Sequence, residues 1–176
     1  GQVQIGGVPV SRLDENQLAA FRQKHIGFVF QSYNLLPELT AVENVALPLM
    51  FRGVPKTVRE REAKKMLCRV GLQNRMGHFP GQMSGGQQQR VGIARAFITR
   101  PDVVFADEPT GNLDSKTTRE VMGMIRQFAK TFHQTIVLVS HDPEMTEYAD
   151  RIVTLLDGEI ISDVQTEGKN IGYEGV

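Results

Sequence analysis

Cysteine is nearly missing from this sequence of 176 residues: Cys68 stands alone, and tryptophan does not occur. One thiol cannot close an internal disulfide, so the chain does not read as a secreted, bridge-stapled scaffold. An excess of charge of either sign is missing too. Twenty basic residues balance twenty acidic ones, and no net field draws the whole molecule to nucleic acid or anionic lipid. No apolar run approaches the roughly 20 residues that a membrane-spanning helix needs. The opening GQVQIGG has no basic stretch followed by an apolar one, so it is not a signal peptide. It also has no initiator Met and starts inside a strand-like pattern. The chain is therefore expected to be a fragment.

What is present is ordinary globular material, 40% hydrophobic and 23% charged, of a length that suits one domain. Val3 and Ile5, then Gly6-Gly7, then Val8 and Val10 read as a hairpin. Ser11 to His25 reads as a short surface helix capped near Asp14, and Ile26–Phe30 as a strand that ends at Gln31. Thr40 and Glu43 fit a capping box. Residues 57–70 are densely charged around an apolar stripe of Val58, Met66, Leu67 and Val70, which reads as a helix with a solvated face. Residues 86–100 are helical in pattern with Val91, Ile93, Ala94 and Phe97 inward, and Pro101 is the expected stop. Val103–Ala106 and Thr135–Val139 read as buried strands, separated by an amphipathic helix over 117–132 with Val121, Ile125 and Phe128 on one stripe. Ile152–Leu156, Asp157-Gly158 and Glu159–Ile161 read as a closing hairpin.

Apolar strands without alternation, separated by amphipathic helices, predict an α/β fold with a parallel sheet covered on both faces. Ligands of such sheets bind beyond the carboxyl ends of the strands. Gln31, Asp107, Glu108 and His141 all follow those ends. An acid at a rigid strand end can face a hydrated Mg²⁺, which takes few carboxylates plus phosphate and water oxygens. The acid after it can orient an attacking water or accept its proton. Met83-Ser84-Gly85-Gly86-Gln87-Gln88-Gln89-Arg90 runs directly into a helix. Its glycines bare backbone N–H groups at the positive end of the helix dipole, a place that favours phosphate. Taken in isolation, Ser84 is better read as a plain N-cap. His25, His78 and His133 have no Cys or His partner at ligand spacing, and Cys68, on the apolar side of a helix, reads as a buried, inert thiol.

The ordered set Gln31, MSGGQQQR, VVFADEPT, GNLD and VSHD resembles the ATP-binding subunit of ABC transporters over nearly the whole chain. Ser84-Gly85-Gly86-Gln87-Gln88 is similar to the family's signature motif, with Met83 where Leu is commoner. Val103–Glu108 resembles the Walker B strand and the acid after it. Gly111-Asn112-Leu113-Asp114 resembles the D-loop, His141 the switch histidine and Gln31 the Q-loop glutamine. ADEPTGNLD and LPELTAVENVALPL look like the branch that serves lipoprotein release, macrolide export and related peptide exporters. One part of the family's pattern has no counterpart here. None of the seven lysines completes G-x-x-x-x-G-K-[ST], so the backbone cradle, the Lys and the Mg²⁺-binding hydroxyl that hold nucleotide in cis are not in this sequence.

The resemblance implies a parallel-sheet P-loop NTPase (RecA-like) core with an inserted α-helical subdomain, lacking the N-terminal Walker A unit. Residues 1–34 would be the remaining N-terminal strands and Q-loop. Residues 35–90 would be the helical subdomain, and 91–176 the core with Walker B, D-loop and switch histidine. It implies ATP and Mg²⁺ as cofactors and a head-to-tail dimer of ATPase subunits. It also implies a transmembrane permease as partner, no nucleic acid, and a cytoplasmic place on the inner face of the membrane. By resemblance, Asp107 and Gln31 serve the metal. Glu108, His141 and Gln31 serve hydrolysis, and Ser84, Gly85, Gly86, Gln87 and Asp114 serve the nucleotide across the dimer. A non-catalytic coupling or scaffold protein remains an alternative. A DNA-repair or chromosome-structuring ATPase is disfavoured, because no sustained heptad run exists.

Overall fold

The N-terminal hairpin forms because two glycines take its turn. Strands β1 (Gln4–Ile5) and β2 (Val8–Pro9) pair antiparallel, and Gly6 and Gly7 supply the positive φ values, 56° and 78°, that the tight reversal requires. The computed structural model describes residues 1–166. They fall into two compact units, which divide between Val139 and Ser140.

In the first unit Asp14 caps helix α1 (Glu15–His25) through a capping box with Gln17. The helix passes directly into strand β3 (Ile26–Phe30). Thr40 caps α2 (Ala41–Phe51) in the predicted box with Glu43. Helix α3 (Lys56–Arg69) follows, then α4 (Gly85–Phe97), β4 (Val103–Asp107), α5 (Ser115–Phe132) and β5 (Thr135–Val139). The three strands form a parallel sheet in the order β3-β4-β5. Helix α4 lies against β3 so closely that a Cβ on Gly27 would sit 2.5 Å from the Ala96 carbonyl. The core gathers Val45, Leu67, Val91, Ile93, Phe97, Val104 and Val121, all fully buried. The stripes of α3 and α5 face inward as expected, through Met66, Leu67 and Val70 and through Val121, Ile125 and Phe128. The charged face of α3 carries exposed pairs, Lys56–Glu60 and Glu62–Lys65.

Three expectations need correction. Cys68 is exposed and not buried, because it falls beside the inward stripe of Met66 and Leu67 and not on it. The sheet is not covered on both faces among the described residues. Val29, Val104 and Ala106 are buried, whereas Phe28 and Val137, aligned across the strands through Phe105, are 43% and 39% exposed. Strand β5 is accordingly not a buried strand: Thr135, Val137 and Val139 are exposed and only Ile136 and Leu138 are half-buried. An unbroken apolar run does not reveal which of its faces is covered. Helix α4 also stops at Phe97, before the expected Arg100. Arg100 takes a left-handed φ of 49° that turns the chain toward β4, with its guanidinium 5.5 Å from the Phe132 ring.

Side chains tie the loops to this frame. Asn44, fully buried, bonds Leu36 in both directions and donates to Leu39 and Thr40 carbonyls. That fixes the segment that follows Gln31. Arg52, at the end of α2, donates to the carbonyls of Gln23, Lys24 and Thr99. It satisfies the last turn of α1, whose carbonyls have no intrahelical partner.

The second unit begins with a 3₁₀ turn, Pro143–Tyr148, followed by strands β6 (Arg151–Leu156) and β7 (Glu159–Gln165). They pair antiparallel around Asp157 and Gly158, both at positive φ (49° and 83°). This is the Asp-Gly turn that the sequence predicts. Arg151 and Asp163, diagonal neighbours across the hairpin, form a two-pronged ion pair at 2.8 and 2.6 Å. No described helix is long and apolar enough to cross a membrane.

Candidate functional site

Parallel register brings the strand-end residues side by side. Phe30 pairs with Asp107, and Asp107 with Val139. Gln31, Asp107 and Glu108 therefore emerge from adjacent strands at one edge. Asp107 closes β4 with its side chain toward solvent. Glu108 turns away in the left-handed region, φ 44°, which costs a residue with a side chain free energy. Its N–H donates to the Val139 carbonyl at 3.0 Å and its carbonyl accepts from Gly111 at 3.1 Å.

The GNLD loop grips Gln31. A Cβ on Gly111 would lie 2.5 Å from Gln31 Nε2, so a side chain there would displace the Gln31 amide. Asn112 donates through Nδ2 to the Gln31 carbonyl at 3.2 Å. Tyr33 and Asn34 follow with φ of 61° and 46°. Their carbonyls receive both arms of the Arg95 guanidinium from α4, at 2.8 and 2.5 Å. Burial pushes the Arg95 pKa below its usual value.

Ser84 is the N-cap of α4 and forms a full capping box with Gln87. Its Oγ accepts from the Gln87 N–H at 3.3 Å, and its own N–H donates to Gln87 Oε1 at 3.1 Å. Gly85 and Gly86 open the helix, and neighbours crowd both. A Cβ on Gly85 would meet the Tyr33 hydroxyl at 2.7 Å, and one on Gly86 would meet Thr117 Cγ2 at 2.8 Å. Asp114 caps α5, accepting from the N–H groups of Lys116 and Thr117 and from the Thr117 hydroxyl. The Thr117 hydroxyl, then the backbone donors, hold the Asp114 carboxyl below its ordinary range. The two helix N-termini border a polar cleft of about 290 Å³ lined by Ser84, Gly86, Gln87, Arg90, Thr117 and Glu120. Arg90 and Glu120 pair within it at 2.6 Å.

The first unit thus joins Gln31, Asp107, Glu108, the Ser84–Gln87 turn and Asp114 through a continuous set of contacts. His141 belongs to the second unit, two residues past the end of β5. No group of three or more His, Cys, Asp or Glu side chains among the described residues forms a metal cage. Asp107, a single carboxylate facing solvent at a strand end, is the type of ligand that suits Mg²⁺, which binds through one or two carboxylates with phosphate oxygens and water. Tyr33 and Arg95 lie outside the motifs, and Gln89 and Asn112 lie within them without an assigned role. Gln89 had a signal: it lies on the inward stripe of α4 with Ile93 and Phe97, a place where a polar residue demands a partner.

Comparison with known proteins places these residues in context. A family model described as ABC transporter matches residues 1–111. An uncharacterized ABC transporter ATP-binding protein of Thermotoga maritima is 51% identical over 160 residues, 91% of this chain and 68% of that protein. The macrolide export ATP-binding/permease protein MacB of Pasteurella multocida is 48% identical over 163 residues, 93% of this chain. The chain spans only 25% of that relative's length. Among solved structures, the dimeric, post-hydrolysis ATP-binding cassette MJ0796 with ADP and Pi superposes with a TM-score of 0.83 at 40% identity. The match covers 94% of this chain and 73% of that one.

Proposed function

The chain belongs to the ABC transporter family, and from that premise we propose that it serves as the ATP-binding and ATP-hydrolysing part of an exporter for a macrolide, lipoprotein or peptide. The observation that carries this reading is the register of the sheet, which sets Gln31, Asp107 and Glu108 at one edge.

In this reading Asp107 holds Mg²⁺, directly or through water, and Gln31 stands beside it. Bound ATP supplies the phosphoryl group whose transfer to water releases free energy. Glu108 orients that water and takes its proton. Ser84, Gly85, Gly86 and Gln87 present N–H groups and a hydroxyl to the γ-phosphate held by a second, head-to-tail subunit. Asp114 couples the two sites across that interface, and His141 steadies the γ-phosphate. Gln31 relays the state of the site to a transmembrane permease through the segment that Asn44 fixes. The assembly works at the cytoplasmic face of the membrane, and the permease selects the cargo. The chain by itself, without a phosphate loop, does not turn ATP over.

One substitution tests this reading. Glu108→Gln, in an ATPase that carries this sequence together with a phosphate loop, should retain ATP binding and accumulate ATP-bound dimers while hydrolysis falls by about 100-fold or more. Turnover within a fewfold of the parent would sink the assignment of Glu108 as the water-orienting acid.

A further inference from the structure

Gln89 is a glutamine buried to 0% exposure in the second turn of α4. Its side-chain nitrogen donates to the carbonyl of Pro109, the residue directly after Glu108. A carbonyl can only accept, so this contact fixes which end of the amide faces the turn. The other end, Oε1, has no hydrogen-bond partner among the described residues. A buried amide with one end unsatisfied is a poor stabilising device beside a hydrocarbon of the same shape. What it supplies is a directed tie between α4 and the peptide next to the acid.

Glu108 is a residue that needs such a tie. Its φ of 44° is held by its N–H on Val139 and by Gly111 on its carbonyl. Those bonds come from the neighbouring strand and from the turn itself. Gln89 adds a restraint from a different element, the helix that carries Ser84, Gly85 and Gly86 at its N-terminus, about one turn before Gln89.

We propose that Gln89 is a positioning residue for Glu108: through the Pro109 carbonyl, α4 sets where the Glu108 carboxylate points. The proposal rests on the reading of Glu108 as the water-orienting acid. It also means that whatever engages the N-terminus of α4 bears on the acid of the same subunit.

The grip can be tested on this chain without nucleotide. Gln89→Met keeps the length and removes the donor. Amide hydrogen exchange followed by NMR should then quicken at Glu108 and Gly111 by about tenfold, with Ile93 and Ala94 in α4 unchanged. No change at Glu108 and Gly111, or an equal rise along α4, would overturn the proposal. Should Gln89→Met fail to fold, Gln89→Asn withdraws the amide by one methylene and is held to the same outcomes.

The role is tested in an ATPase that carries this sequence and a phosphate loop. There Gln89→Met should lower kcat by about tenfold with KM for ATP within about twofold. A kcat within twofold of the parent, or a loss shared equally by KM, would overturn it. Glu108→Gln serves as the control. If that variant turned over normally, the fault would lie in the reading of Glu108, whereas the exchange experiment judges the grip of Gln89 by itself.

Discussion

At the scale of single residues, the two signature glycines are imposed by their neighbours and not by backbone conformation. Neither takes a positive φ. A Cβ on Gly86 would collide with the methyl group of Thr117 at 2.8 Å. Overpacking of this kind costs about 1–3 kcal/mol, offset in part by the better helix propensity of alanine. Gly86→Ala should therefore destabilise the first unit by a net ~1–2 kcal/mol in urea unfolding. Thr117→Ser removes the offending methyl and keeps the hydroxyl that donates to Asp114 at 2.6 Å. The double variant should recover most of the loss, and a double variant as unstable as Gly86→Ala alone would contradict this packing. The same logic pairs Gly85→Ala with Tyr33→Phe, because the Tyr33 hydroxyl is the atom in the way.

At the scale of elements, helix starts were the most legible feature. Asp14, Thr40 and Ser84 could be read as caps because the signal is local: a short oxygen-bearing side chain followed by a helical pattern. All three form boxes. Thr40→Ala should cost about 1 kcal/mol by loss of the cap, read from the urea midpoint. The Thr40 hydroxyl, and then its backbone N–H, hold the Glu43 carboxyl below its usual value. A depressed acid stabilises the fold above its unfolded pKa, and that stability disappears as pH falls through the lower, folded value. Acidification below the ordinary carboxylate range should therefore weaken α2. Glu43→Gln, which can still accept from Thr40, should flatten that part of the stability–pH curve; an identical curve would discount the box. Helix ends were less legible. Arg100 turns the chain by backbone conformation, which no side-chain pattern announces.

For the whole molecule, the strand-end acids could be read because a run such as Val103–Ala106 leaves little choice about where its polar residues emerge. The contacts between distant segments could not. Gln89 on Pro109, Arg95 on the carbonyls of Tyr33 and Asn34, and Asn112 on Gln31 link positions 20 to 81 residues apart. Only tertiary packing brings such groups together. In the proposed reading, the only backbone N–H groups of these residues that meet phosphate are those at the N-terminus of α4, which Ser84 caps. The cradle of N–H groups and the Lys that normally supply nucleotide affinity in cis are not encoded in these residues. Calorimetric titration of the chain with Mg-ATP should therefore show no tight binding, and a micromolar dissociation constant would show that nucleotide is held by other groups.

The exposure of β5 bears on how the protein behaves at high concentration. Thr135–Val139 is a five-residue stretch of β-branched and aliphatic side chains without charge or proline. It lies at the margin of the sheet, with Val137 and Val139 at 39% and 56% exposure. Unpaired backbone groups beside sticky side chains template the addition of another strand. Concentrated solutions of the chain should scatter light increasingly with time, through strand-to-strand stacking at this margin. Val137→Lys should delay that onset, because a charge at the edge opposes the approach of a second copy. If turbidity developed at the same rate in both proteins, the nucleus of aggregation would lie elsewhere.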